Sequence, residues 1–204
     1  GGIIVPPDGY LKKCAEICKK HNVLLICDEI QTGLGRTGKL FASDHDNVKP
    51  DGLILGKALG GGMLAVSMFL CRKDVMDVFT PGDHGSTFGG NPLSAAVGLE
   101  ALKLTVEKQL PEVAASLGAH FIKSLKEIKS PLIKEVRGKG LLIGVEVNPE
   151  IASARKVCEI LMSKGLLTKE THETVVRFAP PLTTTKSELD SAINIIRDAF
   201  TSFS

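Results

Sequence analysis

The sequence predicts an α/β protein, with a mostly parallel sheet in its first half and a smaller α/β unit in its second. Three observations carry that expectation. An amphipathic helix at 10–21 runs directly into an apolar strand at 23–27. A second apolar strand at 53–55 follows a Pro50-Asp51-Gly52 turn, and after two long helices the strand and helix pattern begins again at residue 133. Short strands that read as continuous apolar runs, separated by helices, are those of sheets covered on both faces.

In the first helix Leu11, Cys14, Ala15 and Cys18 share one face and lysines take the other, which is the helical period. Asn22 ends it. The strand at 23–27 leads into Asp28-Glu29-Ile30-Gln31, and residues 33–38 form a glycine-rich loop. A third strand is expected at 66–71, followed by a short helix near 74–78. Residues 80–92, rich in Gly, Ser, Thr and Pro, make a connection long enough to suggest a functional loop. Alanine-rich 93–106 and the near-heptad stretch 111–128 predict two long helices. Strands at 133–136 and 141–147 flank Arg137-Gly138-Lys139-Gly140, a helix covers 152–164 and a strand 175–178. The last helix starts at Thr185, where Thr185-Lys186-Ser187-Glu188 matches a capping box. The domain division is placed at 1–108 and 109–204.

Composition narrows the function classes. Of 204 residues, 43% are hydrophobic and 24% charged, ordinary values for a soluble globular protein. No apolar run is long enough to span a membrane, and a net charge of +2 suggests neither nucleic acid nor an anionic membrane as partner. The five cysteines contain no C-x-x-C pair and read as free thiols in a reducing compartment. Cys14 and Cys18 lie one turn apart without a further ligand at metal spacing, and Asp44-His45-Asp46 and His172 read as loop residues, so no metal site is expected. The opening Gly1-Gly2-Ile3-Ile4-Val5-Pro6-Pro7 reads as the middle of a chain, which suggests the C-terminal part of something longer.

The chemistry-bearing residues lie at strand ends. Asp28 closes one apolar strand and Lys57 follows another, immediately before Gly60-Gly61-Gly62. The C-terminal ends of the strands of an open sheet are where ligands bind. A pyridoxal phosphate site needs this pair: an amine for the Schiff base and a carboxylate to keep the pyridine nitrogen protonated. A lysine shielded from water there gives up its proton more readily. Against this stand a capping or solvated Asp28 and a plain surface lysine. Gln31 is placed to reach the same ligand. Gly33-Leu34-Gly35-Arg36-Thr37-Gly38 matches G-x-G-x-x-G, but no helical period follows, which argues against a dinucleotide site. Gly56-Lys57 lacks the Ser/Thr of a nucleotide-binding loop. In residues 84–92, Ser86, Thr87 and flexible glycines precede a helix N-terminus and suit a phosphate, although a plain glycine loop is the alternative. Arg177 is a charge inside an apolar strand and suits either a structural ion pair or a substrate carboxylate.

Taken together these motifs resemble the class III, fold-type I pyridoxal phosphate aminotransferases. The matching stretches are 6–11, 28–38, 55–62, 84–93, 136–141 and 171–182, nearly the whole length. The last of them favours members that use ornithine as amino donor over those using acetylornithine or 4-aminobutyrate. The resemblance implies that residues 1–108 are the C-terminal half of a cofactor-binding large domain and 109–204 a small C-terminal domain. It also implies that Lys57 binds pyridoxal phosphate covalently and shuttles a proton, that Asp28 pairs with the ring nitrogen and that Gln31 approaches the phenolic oxygen. Ser86 and Thr87 would bind the phosphate of a neighbouring subunit's cofactor, which makes a homodimer with shared sites. Arg177 would hold the carboxylate of glutamate or 2-oxoglutarate, the amino-acid and oxo-acid substrates. The family's N-terminal half, with its principal phosphate turn and ring-stacking aromatic, has no counterpart here, so a non-catalytic piece is the expectation of another class. Ala65 and Cys27 depart from the family pattern without removing a chemical group. The resemblance leaves the compartment as cytoplasm or mitochondrial matrix.

Overall fold

A computed structural model describes residues 2–203, in two compact units: Pro6–Pro111, and 112–203 together with 2–5. In the first unit helix α1 (Tyr10–Lys20) leads to strand β1 (Ile26–Asp28), which pairs in parallel with β2 (Gly52–Leu55). Strand β3 (Met68–Cys71) then adds to β2 in the antiparallel sense, so the sheet β1-β2-β3 is mixed. The expected strand at 23–27 starts later than its apolar residues, because pairing begins only where Ile26 meets Gly52. Val23, Leu24 and Ile26 are exposed, as are Met68, Phe69 and Leu70 on β3. The buried core of this unit is small: Leu34, Leu55 and Leu59, with Leu40, Phe41, Leu53, Val66 and Leu102 packed against it.

After a short helix α2 (Lys73–Met76), helix α3 (Pro92–Glu107) begins at an Asn91 cap, whose side chain accepts from the Ser94 N–H. Its glycine at 98 sets the helix against the backbone of Leu59: a Cβ there would lie 3.5 Å from the Leu59 carbonyl oxygen. The helix thus backs the turn that carries Lys57.

The second unit starts with helix α4 (Leu110–Lys126), whose first residues belong to the preceding unit. Strands β4 (Ile133–Lys139) and β5 (Leu142–Val147) form a hairpin through Arg137-Gly138-Lys139-Gly140, so part of that motif is strand rather than loop. Helix α5 (Ala154–Ser163), strands β6 (Lys169–Thr171) and β7 (Val175–Phe178) and helix α6 (Lys186–Thr201) complete it. The antiparallel sheet has the order β4-β5-β7-β6. Thr185 caps α6 in a full capping box with Glu188, as the sequence predicts.

One face of this sheet carries Val136, Ile143, Val145, Val147, Val176 and Phe178 into a continuous core with Phe121, Leu125, Val157, Leu161, Ile193, Ile196 and Phe200. Phe121 meets Phe178 edge-on at 5.7 Å between ring centroids. Helix α4 touches the hairpin backbone to backbone, since a Cβ on Gly118 would lie 2.7 Å from the Gly140 Cα and nearer still to its carbonyl. On the opposite face residues 2–3 form a strap. Both have positive φ, 42° at Gly2 and 54° at Ile3. For a β-branched residue such as Ile3 that region costs roughly 1–2 kcal/mol, so its surroundings must hold it there.

Candidate functional site

Because β1 and β2 run parallel, their C-terminal ends lie at the same end of the sheet. Asp28 is the last residue of β1 and stands opposite Ile54, and the Glu29 N–H continues the ladder to the Ile54 carbonyl at 2.9 Å. Two residues beyond the end of β2, Lys57 opens a single 3-10 turn, Lys57–Gly60. The two charges expected at neighbouring strand ends are therefore there. Lys57 has a φ of 45°, a left-handed conformation unusual outside glycine and of the kind found where surrounding structure imposes it at a site. Gly61 and Gly62, at φ of 58° and 77°, let the chain turn back after it.

The Asp28 carboxylate is exposed, and its Oδ1 accepts the Ile30 N–H at 3.0 Å, which fixes the side chain relative to the strand end. Cys27 beside it is held above its usual range by burial first, then by Glu29 and Cys14, so its thiol stays neutral next to the carboxylate. Gln31 follows on the same turn and is exposed. Lys57 is exposed too, so the shielding from water expected of it is not supplied within this chain; its backbone turn is buried at Leu59 and Gly60, but the side chain is not.

Glu29 is the residue that sequence reasoning overlooked. It is only 3% exposed, and its carboxylate accepts the backbone N–H groups of Ser43 and Ala42 at 2.8 and 2.9 Å and the Thr32 hydroxyl at 2.5 Å. The Gly33 N–H donates to its carbonyl at 2.9 Å. Glu29 thus ties together the segments on either side of the glycine-rich loop 33–38, and a 3-10 turn at Ala42–Asp46 follows it rather than the long helix a dinucleotide site needs. Its neighbours have structural employment: Asp44 accepts from the Phe41 N–H, and Asp46 accepts from the N–H groups of Gly9 and Leu11 at the start of α1. Nothing local in the sequence distinguishes Glu29 from the solvated carboxylates around it.

Ser86 and Thr87 sit in an exposed loop. The Ser86 hydroxyl accepts the Gly89 N–H at 2.9 Å, and Asn91 already caps the helix that follows. What this loop offers an anion is therefore its hydroxyls and loop backbone rather than an uncapped helix end. Arg177 belongs to the other unit. It is half-buried on β7, on the face opposite the core residues Val176 and Phe178, and among the described residues its guanidinium takes part in no hydrogen bond or salt bridge. Asp28, Gln31, Lys57, Ser86 and Thr87 share the first unit.

The sequence pattern of the family Aminotransferase class-III matches residues 1–200. The chain belongs to the class-III aminotransferases. Ornithine aminotransferase 2 of Staphylococcus aureus is 60% identical over 199 residues, covering 98% of this chain and 50% of that protein. The structure of Plasmodium falciparum ornithine delta-aminotransferase superposes with a TM-score of 0.96 at 48% identity, covering 99% of this chain and 53% of that one. The acetylornithine aminotransferase of Elizabethkingia anophelis gives a TM-score of 0.93, also at 48% identity, over 97% of this chain and 50% of that one. The chain spans about half the length of the curated relatives it matches. A class-III member is expected to use pyridoxal phosphate, and the residues present fit it: an accessible amine and an accessible carboxylate at adjacent strand ends, with accessible hydroxyls in the same unit.

Proposed function

We propose that these residues are the C-terminal portion of a pyridoxal phosphate-dependent ornithine–oxo-acid aminotransferase, which converts ornithine and 2-oxoglutarate to glutamate 5-semialdehyde and glutamate. The observation that carries the reading is the parallel β1–β2 pair, which delivers Asp28 and Lys57 to one end of one sheet. When bound, the cofactor supplies a carbonyl that takes up an amino group and a ring that withdraws electrons. Asp28 keeps the ring nitrogen protonated through its carboxylate, and Gln31 binds the phenolic oxygen. Lys57 would hold the cofactor through Nζ, and the same amine would move the proton at the substrate carbon. Ser86 and Thr87 donate hydroxyl hydrogen bonds to phosphate across a homodimer interface. Arg177 binds a substrate carboxylate through its planar fork, a partner it lacks among the described residues.

The division into a cofactor-binding portion at 1–108 and a small domain at 109–204 belongs to the same proposal, as do a reducing compartment, cytoplasm or mitochondrial matrix, and the absence of nucleic-acid and metal partners. No helix among the described residues is long and apolar enough to cross a membrane. The test is borohydride reduction of the full-length protein with pyridoxal phosphate, followed by peptide mapping. A pyridoxyl adduct confined to Lys57 supports the reading, and an adduct elsewhere, or none, overturns the role of Lys57. A panel of ornithine, acetylornithine and 4-aminobutyrate then decides the donor.

A second reading is favoured by the exposed apolar residues of the first unit, among them Val78 and Phe88 at 72% and 82% exposed. In that reading this chain by itself is an inert piece that binds the cofactor weakly and self-associates. Cofactor titration and light scattering of the isolated chain test it; tight one-to-one binding by a monodisperse species rules it out.

A further inference from the structure

We propose that Arg137 is a positioning residue for the carboxylate site at Arg177, acting by clamping residues 2–3 across the sheet face on which Arg177 stands. The inference rests on the reading of Arg177 as the carboxylate anchor.

Strand register makes the geometry definite. Arg137 pairs with Gly144, Gly144 pairs with Arg177, and Arg177 pairs with Lys169, so one row crosses all four strands. Directly paired residues in antiparallel strands point to the same face. That face is the one turned away from the core, since the alternate residues Val136, Val145 and Val176 are buried. The strap lies on this row. Arg137 donates from Nε to the Ile3 carbonyl and from Nη2 to the Gly2 carbonyl, both at 2.9 Å. A Cβ on Gly144 would come within 3.0 Å of the Ile3 Cβ, so the strap occupies the space a side chain at 144 would fill. Ile3 is therefore held one strand away from Arg177, in a left-handed conformation that no β-branched residue adopts unforced.

Arg137 is an anchor and not a second carboxylate receptor. Its Nη1 is already engaged by Glu135 and Glu146, each at 2.6 Å, and its remaining donors go to the strap. With the guanidinium consumed in this way, Arg177 is the cation left on the row's centre for an incoming carboxylate. The strap walls one side of it, limiting where that carboxylate can approach.

The test uses the full-length holoenzyme and two readouts: steady-state kinetics with 2-oxoglutarate, and equilibrium binding of glutarate, a dicarboxylate without the keto group. Arg137→Gln removes donors to both carbonyls, and the KM for 2-oxoglutarate and the Kd for glutarate are each expected to rise about ten-fold, with kcat at saturation changed less than about three-fold. Arg137→Lys is expected to recover part of the loss, since an ammonium keeps the charge but not the fork. Unchanged KM and Kd beside a lowered Tm overturn the proposal and leave Arg137 a purely structural residue. Should Arg137→Gln fail to fold, Gly144→Ala displaces the strap from the other side and must raise the same two constants; normal values there overturn it equally. Arg177→Gln is the control on the underlying reading. If that variant binds glutarate normally, Arg177 is not the anchor and both readings fall; if it loses binding while Arg137→Gln does not, only the clamp falls.

Discussion

Replacing Gly118 by alanine sets two effects of opposite sign against each other, and the structure says which prevails. In an open helix interior the change stabilises by up to about 1 kcal/mol, because alanine has the better helix propensity. At 118, however, the new methyl would lie 2.7 Å from the Gly140 Cα, where carbon atoms ordinarily keep about 3.5–4.0 Å. Helix α4 would have to retreat by roughly 1 Å from the hairpin, since the obstacle is backbone that cannot rotate away. That retreat also loosens Phe121 and Leu125, which the same helix seats in the core. Overpacking of this kind costs about 1–3 kcal/mol, and the loosened core adds to it, so a net destabilisation on the order of 2 kcal/mol is expected. Gly98 of α3 supplies the comparison: its added methyl would meet the Leu59 carbonyl oxygen at 3.5 Å, an ordinary contact, and Gly98→Ala should be neutral or mildly stabilising. Urea denaturation followed by far-ultraviolet circular dichroism, with hydrogen exchange on peptides from α4 and β5, reads both. Equal effects from the two substitutions, or a more stable Gly118→Ala protein, would refute the close-approach argument.

Glu29→Gln keeps the shape but turns an amide N–H toward a pocket built of donors, the N–H groups of Ala42 and Ser43 and the Thr32 hydroxyl. A loss on the order of 2–3 kcal/mol is expected from the same denaturation measurement, and a change under about 0.5 kcal/mol would show that the carboxylate is not what holds the loop. Asp190 bonds first to Lys186 and then to His120, and these hold its carboxyl below the usual carboxylate range. A depressed carboxyl contributes stability above its unfolded value and loses it as pH falls through the folded one, so Asp190→Asn should remove part of the acid-side decline in urea midpoint. Parallel acid limbs in the two proteins would exclude that contribution.

How much of this was legible in the sequence depends on how local each cause is. The strands ending at Asp28 and near Lys57 were visible because apolar runs and punctuating glycines are local signals, and the Thr185 cap was visible for the same reason. Strand β6 was not: Lys-Glu-Thr is a polar edge strand of three residues, made by its pairing with β7. The antiparallel sense of β3 was likewise hidden, since an apolar run does not carry its direction. The burial of Glu29 depends on donors 13 and 14 residues away, and the strap depends on an arginine more than 130 residues away. For Lys57 the sequence led to a strand end, while the shielding expected there is not supplied within this chain, because the shielding of a side chain depends on what packs over it and not on the strand beneath.

The clamp on the strap has a consequence for the order of assembly. Gly2 and Arg137 are 135 positions apart, and all of Pro6–Pro111 lies between them. Closing a free loop of that length costs on the order of 4 kcal/mol in chain entropy before any bond to the strap is made. The hairpins β4–β5 and β6–β7, in contrast, join neighbours in sequence and need no such closure. The sheet can therefore form first, with Arg137 drawn to Glu135 and Glu146, and present a finished receptor to a strap that arrives last. Residues 2–3 then become the latest part of their unit to be fixed, joined to it by bonds rather than by neighbouring chain.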